Sequence, residues 1–363
     1  MTVKCIGCGG TLQNTDKEAP FFTPKSLDLA DDILCQRCFR MRHYGEILPS
    51  VLKESDYMEV ISRIASEDIL VVKVLDAFDL EGSMMPQIHK LTGANDVLAI
   101  VNKRDLLPKS VSDNKLAHRV KRYLKRSGVK AVDVMMVSAT KKHGIDAVLD
   151  RIAELSQGRN VIIVGATNVG KSTLINAMLQ ASTELREALI TVSNSKGTTQ
   201  DLIAIPFENQ TLYDSPGLFN KNHISVVLGE ESFQLIQPKK EVKPKVFQIK
   251  HPQSYFMGGL ARYDYHPTKQ ATAVAYRAES LTVHRRKAEE SEAFYEKHRG
   301  GLLVPPTEKD SLFVLKAHQF HIKRGQKIDI VVPGLCFMSF EGEGMVRVFT
   351  PETVIPYQRE ALI

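Results

Sequence analysis

Eight residues, Gly165-Ala166-Thr167-Asn168-Val169-Gly170-Lys171-Ser172, carry the first chemistry in this chain. Glycines at the ends of a loop let backbone amides close around phosphate oxygens. Lys171 is placed to neutralise β and γ phosphates, and the Ser172 hydroxyl to ligate magnesium, with Thr173 next on the helix completing the set. A second constellation, Asn102-Lys103-Arg104-Asp105, precedes that loop by about 60 residues. The Asp105 carboxylate can accept from both guanine N1–H and the exocyclic amine. Adenine offers no such pair of donors, and a buried group left unpaired rejects the wrong base strongly. Asn102 is expected to brace the base-binding loops, Lys103 to lie over the base plane, and the Ala139 amide, in Ser138-Ala139-Thr140, to reach guanine O6. Beyond the phosphate loop come Gly197-Thr198-Thr199 and Asp214-Ser215-Pro216-Gly217. Thr199 is the candidate switch hydroxyl for magnesium, Asp214 holds the ion through its water shell, and the Gly217 amide senses the γ-phosphate. A glycine-rich turn and an ordinary polar turn are the plainer readings of the phosphate loop and of GTT.

Short apolar runs at Ile69–Leu75, Val97–Val101, Val132–Val137 and Val161–Val164 read as buried strands, with helices near 113–127 and 144–156 between the later ones. This alternation predicts a mostly parallel α/β sheet, with each motif at a strand's carboxyl end, where such sheets bind ligands. A strand before Gly165 and a helix after it are the context the phosphate loop requires. The base motifs nevertheless precede the phosphate, magnesium and γ-phosphate motifs. That order is the signature of a circularly permuted P-loop GTPase.

Four of the five cysteines form Cys5-x2-Cys8 and Cys35-x2-Cys38, with 26 residues between the pairs. Two such turns can complete a tetrahedral zinc site. The rival is a pair of redox dithiols, which no βαβ pattern supports. A site closed by four cysteines leaves no open position for metal-dependent RNA modification. His43 could replace a cysteine, but belongs more naturally to the basic run Arg37–His43, a phosphate-backbone contact or a solvated helix start. Cys336, inside an apolar segment, reads as a small buried hydrophobe.

Composition sets the outer bounds. The 363 residues suit two or three domains, and 43% apolar with 25% charged residues describes a soluble globular chain. No run approaches a membrane span and no secretory signal opens the sequence, so a cytoplasmic protein is expected. Of the net charge of +6, residues 220–363 hold 21 Lys+Arg against 16 Asp+Glu. That mild excess suits a polyanionic partner or merely a solvated surface. Three domains are expected: 1–48 for zinc, 49–219 for the permuted GTPase, and 220–363 as an α+β domain. In the last, Val246–Ile249, Ala271–Tyr276, Ser311–Leu315 and Lys327–Val332 suggest strands, roughly Val283–His298 a helix, and Lys239–Lys245 an exposed basic linker. Aromatics among basic residues at Tyr255-Phe256, Arg262-Tyr263 and His318–Arg324 suit RNA stacking, although aromatics at strand spacing are commonly core.

These motifs in this order resemble the YqeH-type circularly permuted GTPases, a family of bacterial and organellar ribosome-assembly factors. The resemblance covers the whole chain and is loosest in the C-terminal third. It implies slow GTP hydrolysis and a role in maturation of the small (30S) ribosomal subunit. GTP/GDP with Mg2+ and Zn2+ and no membrane are expected from the residues themselves, and a ribosomal RNA or small-subunit partner and a monomer are expected beside them. Leu218 stands where a Ras-like GTPase has its water-orienting glutamine. The chain is similar in this to GTPases with a hydrophobic residue there, several of which use K+ held partly by an asparagine at the position of Asn168. A turn-forming role for Asn168 is the alternative. The competing function is a nucleotide-gated RNA- or protein-binding module in which hydrolysis is incidental.

Overall fold

The structure, a computed structural model, describes residues 3–6, 11–17, 21–25, 33–44, 67–84, 92–183, 185, 187, 203–207, 210–215, 217–218, 220–311 and 313–363. Cys8, Thr198, Thr199 and Pro216 lie outside the described residues. The chain divides into two compact units, one of 1–104 with 116–219, the other of 105–115 with 220–363.

The first unit begins with helix α1 (Gln36–Tyr44) beside a small apolar cluster of Cys5, Leu12, Ile33, Cys35 and Cys38. Its larger part is a mixed α/β sheet. The elements are β1 (Leu70–Asp76), β2 (Val97–Asn102), α2 (Asp113–Arg126), β3 (Ala131–Met136), α3 (Ile145–Ser156), β4 (Val161–Val164), α4 (Lys171–Ala181), β5 (Ile203–Phe207) and β6 (Gln210–Asp214). The sheet order is β3-β2-β1-β4-β6-β5, parallel throughout except for β5. β1, β2 and β4 are buried on both faces, which explains why Val, Ile and Leu fill them apart from the buried Lys73, Ala99 and the polar last residues of β1 and β2. Helix α2 turns Leu116, Val120 and Leu124 inward at four-residue intervals. The apolar runs read from sequence fall on β1 to β4 within one residue at each end.

Register fixes what stands beside what at the carboxyl edge of this sheet. Asp76 pairs with Asn102, and Ile163, two residues before the phosphate loop, pairs with Asp214. The last residues of β1, β2 and β6 and the loop after β4 therefore line one edge.

The second unit contains α5 (Glu230–Ile236), β7 (Lys245–Ile249), β8 (Gln253–Met257), β9 (Ala261–Pro267), β10 (Ala271–Arg277), β11 (Val283–Lys287), α6 (Ser291–His298), β12 (Leu315–Ile322), β13 (Lys327–Val332), β14 (Cys336–Glu341), β15 (Gly344–Pro351) and β16 (Tyr357–Glu360). Two antiparallel five-stranded sheets, β16-β13-β14-β10-β7 and β11-β8-β9-β15-β12, contribute to one apolar core. Gly258 turns the β8–β9 hairpin at φ +56°, and a Cβ there would stand 2.6 Å from the Pro305 carbonyl.

Three expectations for this third of the chain need correction. The helix expected over 283–298 begins only at Ser291, because 283–287 pair with β8 as an edge strand. Among the described residues of Ser311–Leu315, only Leu315 is in a strand. Tyr255, Phe256 and Tyr263 have no exposed surface and Arg262 is 3% exposed, so none of them can stack on RNA. Adjacent residues of a strand point to opposite faces, and both faces are packed here, Tyr255 and Tyr263 into the large core and Phe256 into a smaller cluster with Tyr295 and Leu303. In the segment Lys239–Lys245 the lysines are exposed, but Val242 is buried and its amide donates to the Leu106 carbonyl.

Candidate nucleotide site and cysteine cluster

The loop Gly165–Gly170 links β4 to α4 at the central strand of the sheet. Gly170 adopts φ +87°, and a Cβ there would meet Asn102 Nδ2 at 2.5 Å; one at Gly165 would meet the Val74 carbonyl at 2.8 Å. Only glycine fits both positions. Asn168 also takes a left-handed conformation, φ +64°, so its turn-forming role is met directly.

Asn102 ties the site together. Its Oδ1 accepts from the Ala139 amide at 3.0 Å, while Nδ2 donates to the carbonyls of Val169 at 3.1 Å and Gly170 at 3.4 Å. Lys103, itself at φ +61°, donates to the Asn168 carbonyl and to Asp76 Oδ2 at 2.6 Å. Ser138 is buried, and its Oγ accepts from the Lys141 amide at 3.2 Å. Asp105 sits half-buried in the short 3-10 turn Arg104–Leu106 that follows β2.

Lys171 is 7% exposed and donates to the carbonyls of Gly165 and Ala166 at 2.9 and 3.0 Å. Burial pulls its ammonium down to about 8, against the pull of the Asp214 carboxylate. Asp214 is 5% exposed and pushed up to about 6 by burial, opposed by Lys171 and by Arg37. Among the described residues its Oδ1 is buried with no hydrogen-bond partner. An acceptor left open in such a place suits a ligand that brings donors, as the water shell of a magnesium ion does. Ser172 is half-buried and Thr173 exposed on the first turn of α4. Gly217 closes the cradle: a Cβ there would stand 3.2 Å from Lys171 Nζ. Leu218 is bound to the phosphate loop through its backbone, its amide donating to the Gly165 carbonyl and its carbonyl accepting from Thr167.

Asp76 escaped the sequence reading. Its Oδ1 accepts from the amides of Phe78 at 2.9 Å and Asp79 at 3.3 Å, so the loop after β1 is folded around it, while Oδ2 holds Lys103. The available signal was a buried strand ending in a carboxylate beside the strand that ends in Asn102.

Cys5, Cys35 and Cys38 are buried, with sulfurs within 4.8 Å of one another. The Cys35 amide donates to Cys5 Sγ at 3.2 Å and the Cys38 amide to Cys35 Sγ at 3.5 Å. Converging sulfurs with amide donors fit a thiolate-bound metal. His43 stays outside this cluster, exposed on α1 with its ring 4.4 Å from that of Phe39. Cys336 lies buried in the second unit, its thiol pushed up to about 12 by burial, an unreactive form.

A 50S ribosome-binding GTPase family model matches residues 160–254, and a YqeH-like C-terminal family model matches 270–362. The uncharacterised protein YqeH of Bacillus subtilis is 39% identical over 99% of both chains. This chain belongs to the YqeH family. Its GTPase domain implies GTP or GDP and Mg2+ as ligands, and the sites of Lys171, Ser172 and Asp214 fit them. Two Arabidopsis thaliana relatives of the YqeH family are further removed. NO-associated protein 1, chloroplastic/mitochondrial, is 27% identical over 93% of this chain and 69% of its own. The GTP-binding protein brassinazole insensitive pale green 2, chloroplastic, is 30% identical over 93% of this chain and 57% of its own. No helix among the described residues is long and apolar enough to cross a membrane.

Proposed function

We propose that this chain is a circularly permuted, guanine-specific GTPase switch that hydrolyses GTP slowly and acts in assembly of the small ribosomal subunit. One observation carries the nucleotide part: Asn102 binds the Ala139 loop and the phosphate loop through one side chain. Base and phosphate motifs thus form one hydrogen-bonded site although the base motifs come first in the chain. In this reading Lys171, Gly170 and Ser172 hold the phosphates and magnesium with Asp214. Thr199 supplies the switch hydroxyl, Gly217 reads the γ-phosphate, and Asn102, Lys103, Asp105, Ser138 and Ala139 hold the guanine. Slow hydrolysis follows from Leu218, whose apolar side chain cannot orient a water. Asn168 would help hold a potassium ion there, which predicts faster turnover in KCl than in NaCl at equal ionic strength. Cys5, Cys35 and Cys38 with Cys8 would hold one zinc, which a cluster of so few apolar residues needs to stay folded. The domains in this reading are 1–48, 49–219 and 220–363, cytoplasmic and monomeric, with RNA contacts in the first and last.

Leu218 also favours the second reading, a nucleotide-gated binding module in which hydrolysis is incidental. A variant that binds GTP but cannot hydrolyse it separates the two: trapping on ribosomal particles supports the switch, and normal release supports the module. Guanine recognition is tested by Asp105→Asn, which inverts the donor–acceptor pattern and should move preference from guanine to xanthine nucleotides. Equal GTP and ATP affinity in the unmutated chain would refute guanine specificity. Co-sedimentation with small and large subunits in GTP and in GDP tests the partner. Association with the large subunit alone would replace the small-subunit assignment.

A further inference from the structure

Helix α1, with sequence QRCFRMRHY, contains three arginines and no acidic residue. At 3.6 residues per turn, Gln36, Arg37, Phe39, Arg40, His43 and Tyr44 share one broad face, and Cys38 lies opposite. Burial agrees: Cys38 is buried at 4% exposure, whereas Gln36, Phe39, His43 and Tyr44 are exposed and Arg37 and Arg40 half-buried. Among the described residues, the large apolar side chains left exposed include two aromatics, Phe39 at 40% and Tyr44 at 53%, and both are on this helix. They are not scattered. The Phe39 ring lies 4.4 Å from His43 and 6.1 Å from Tyr44, so three rings form one small cluster on the face that Arg37 and Arg40 share. The helix is rooted at its start, where the Phe39 amide donates to the Cys35 carbonyl and Cys35 and Cys38 are buried in the cysteine cluster.

We infer that this face of α1 is a stacking platform for an unpaired stretch of RNA, with bases on Phe39, His43 and Tyr44 and phosphates against Arg37 and Arg40. The inference rests on the RNA reading proposed above and deepens it by naming the surface and the kind of RNA. The chemistry selects this occupant. Exposed rings beside cations, on a helix with no acidic residue of its own, match a base flanked by phosphates. In a duplex the base faces are hidden within the stack, and only phosphates and groove edges are offered, so the rings would gain nothing from it. The arginines alone would serve any polyanion, whereas the exposed rings require an exposed base.

The chain has no tryptophan, so Phe39→Trp introduces a single indole at the centre of the platform. Titrating that full-length variant with a mixed-sequence single-stranded RNA at fixed salt should quench the indole. The same RNA annealed to its complement should quench it at least fivefold less effectively. In an unlabelled format, Phe39→Ala combined with Tyr44→Ala should raise the Kd for single-stranded RNA about tenfold with little change in salt dependence. Arg37→Gln with Arg40→Gln should instead flatten the dependence of log K on log salt by roughly 1.4, at about 0.7 per phosphate contact on a single strand. The melting temperature reports that each variant is folded, and the tryptophan titration stands alone if the double alanine variant is not. If the unmutated chain binds RNA but the indole is not quenched, the platform is refuted while the RNA reading survives. If the unmutated chain binds neither form of RNA, both fall. Quenching by anionic phospholipid vesicles or an acidic peptide, and not by RNA, would overturn the assignment of the partner.

Discussion

Buried carboxylates are handled in opposite ways by the two units. In the second unit Asp329 is fully buried, yet its carboxylate accepts from Ser339 Oγ at 2.5 Å, Arg359 Nε at 3.0 Å and the Leu362 amide at 3.0 Å. Asp310 likewise takes the Gly229 amide at 2.6 Å, Ser232 Oγ at 2.6 Å and the Thr307 amide at 2.7 Å, pinning the start of α5. Among the described residues of the first unit Asp214 keeps an unpartnered oxygen, Lys171 rests on loop carbonyls, and Lys73, with no exposed surface, reaches only the Ser83 carbonyl at 3.4 Å. A closed network is what holds a fold. A buried charge left short of partners costs stability, and its persistence marks where a ligand completes the set.

Removing a partner from the closed network should have the largest effect. Asp329→Ala strands Arg359 and the Leu362 amide inside the second unit, and breaking a buried pair in this way costs about 3–5 kcal/mol. Differential scanning calorimetry should show the second unit unfolding many degrees earlier, with GTP affinity unchanged. Concurrent loss of GTP affinity would mean that the closed network also serves the nucleotide site.

The opposite sign is expected of Lys73→Met. Burial, with a smaller push from Lys171, draws the Lys73 ammonium down to about 7 from its ordinary 10.5. A folded-state value below the unfolded one gives stability that is complete above about 10.5 and is lost as pH falls to about 7. Methionine carries no such penalty, so the variant should be more stable at pH 7, by on the order of a few kcal/mol, and the gain should shrink toward pH 10. Melting temperatures across that range check it. A loss of stability at pH 7 would mean that Lys73 is better satisfied than its single carbonyl contact indicates.

Legibility from sequence follows the same division. The GTPase sheet was readable because each motif must stand at the end of a buried strand, so apolar runs and polar signatures confirm one another. In the second unit no such coupling exists. The segment Val283-His284-Arg285-Arg286-Lys287, followed by acidic residues, has a helical composition, yet it lies on a sheet edge where backbone pairing with β8 decides its conformation. Edge strands tolerate such charge, which is also how they avoid pairing with other chains. Tyr255 and Tyr263 were open to either reading, and only the assembled core shows them buried. α1 was legible as a basic run, but the exposure of Phe39 and Tyr44 depends on which face the cysteines take. The contact of Asp76 with Lys103 was illegible for a further reason. The partners Phe78 and Asp79 are local, but Lys103 is 27 residues away, and no spacing within a short motif encodes that contact.

The smallest expected effect belongs to Asp76, and it tests whether a closed network can exist inside the open site. Asp76→Asn keeps Oδ1 as an acceptor for the Phe78 and Asp79 amides, so the loop after β1 should hold its shape. It removes the charge that meets Lys103 Nζ. That pair is partly solvated, with side chains 26% and 13% exposed, so the loss is about 1 kcal/mol rather than the value of a buried pair. Lys103 would still reach the Asn168 carbonyl, but its stem would be held from one side only. The expected result is about fivefold weaker GDP binding and a raised KM for GTP, with kcat and melting temperature little changed. Asp76→Ala, which also removes the turn acceptor, should in addition lower the melting temperature. Unaltered GDP affinity in Asp76→Asn would show that the Asn168 carbonyl alone orients Lys103. A fall in kcat with KM unchanged would place Asp76 in the hydrolytic step instead of in the positioning of the base.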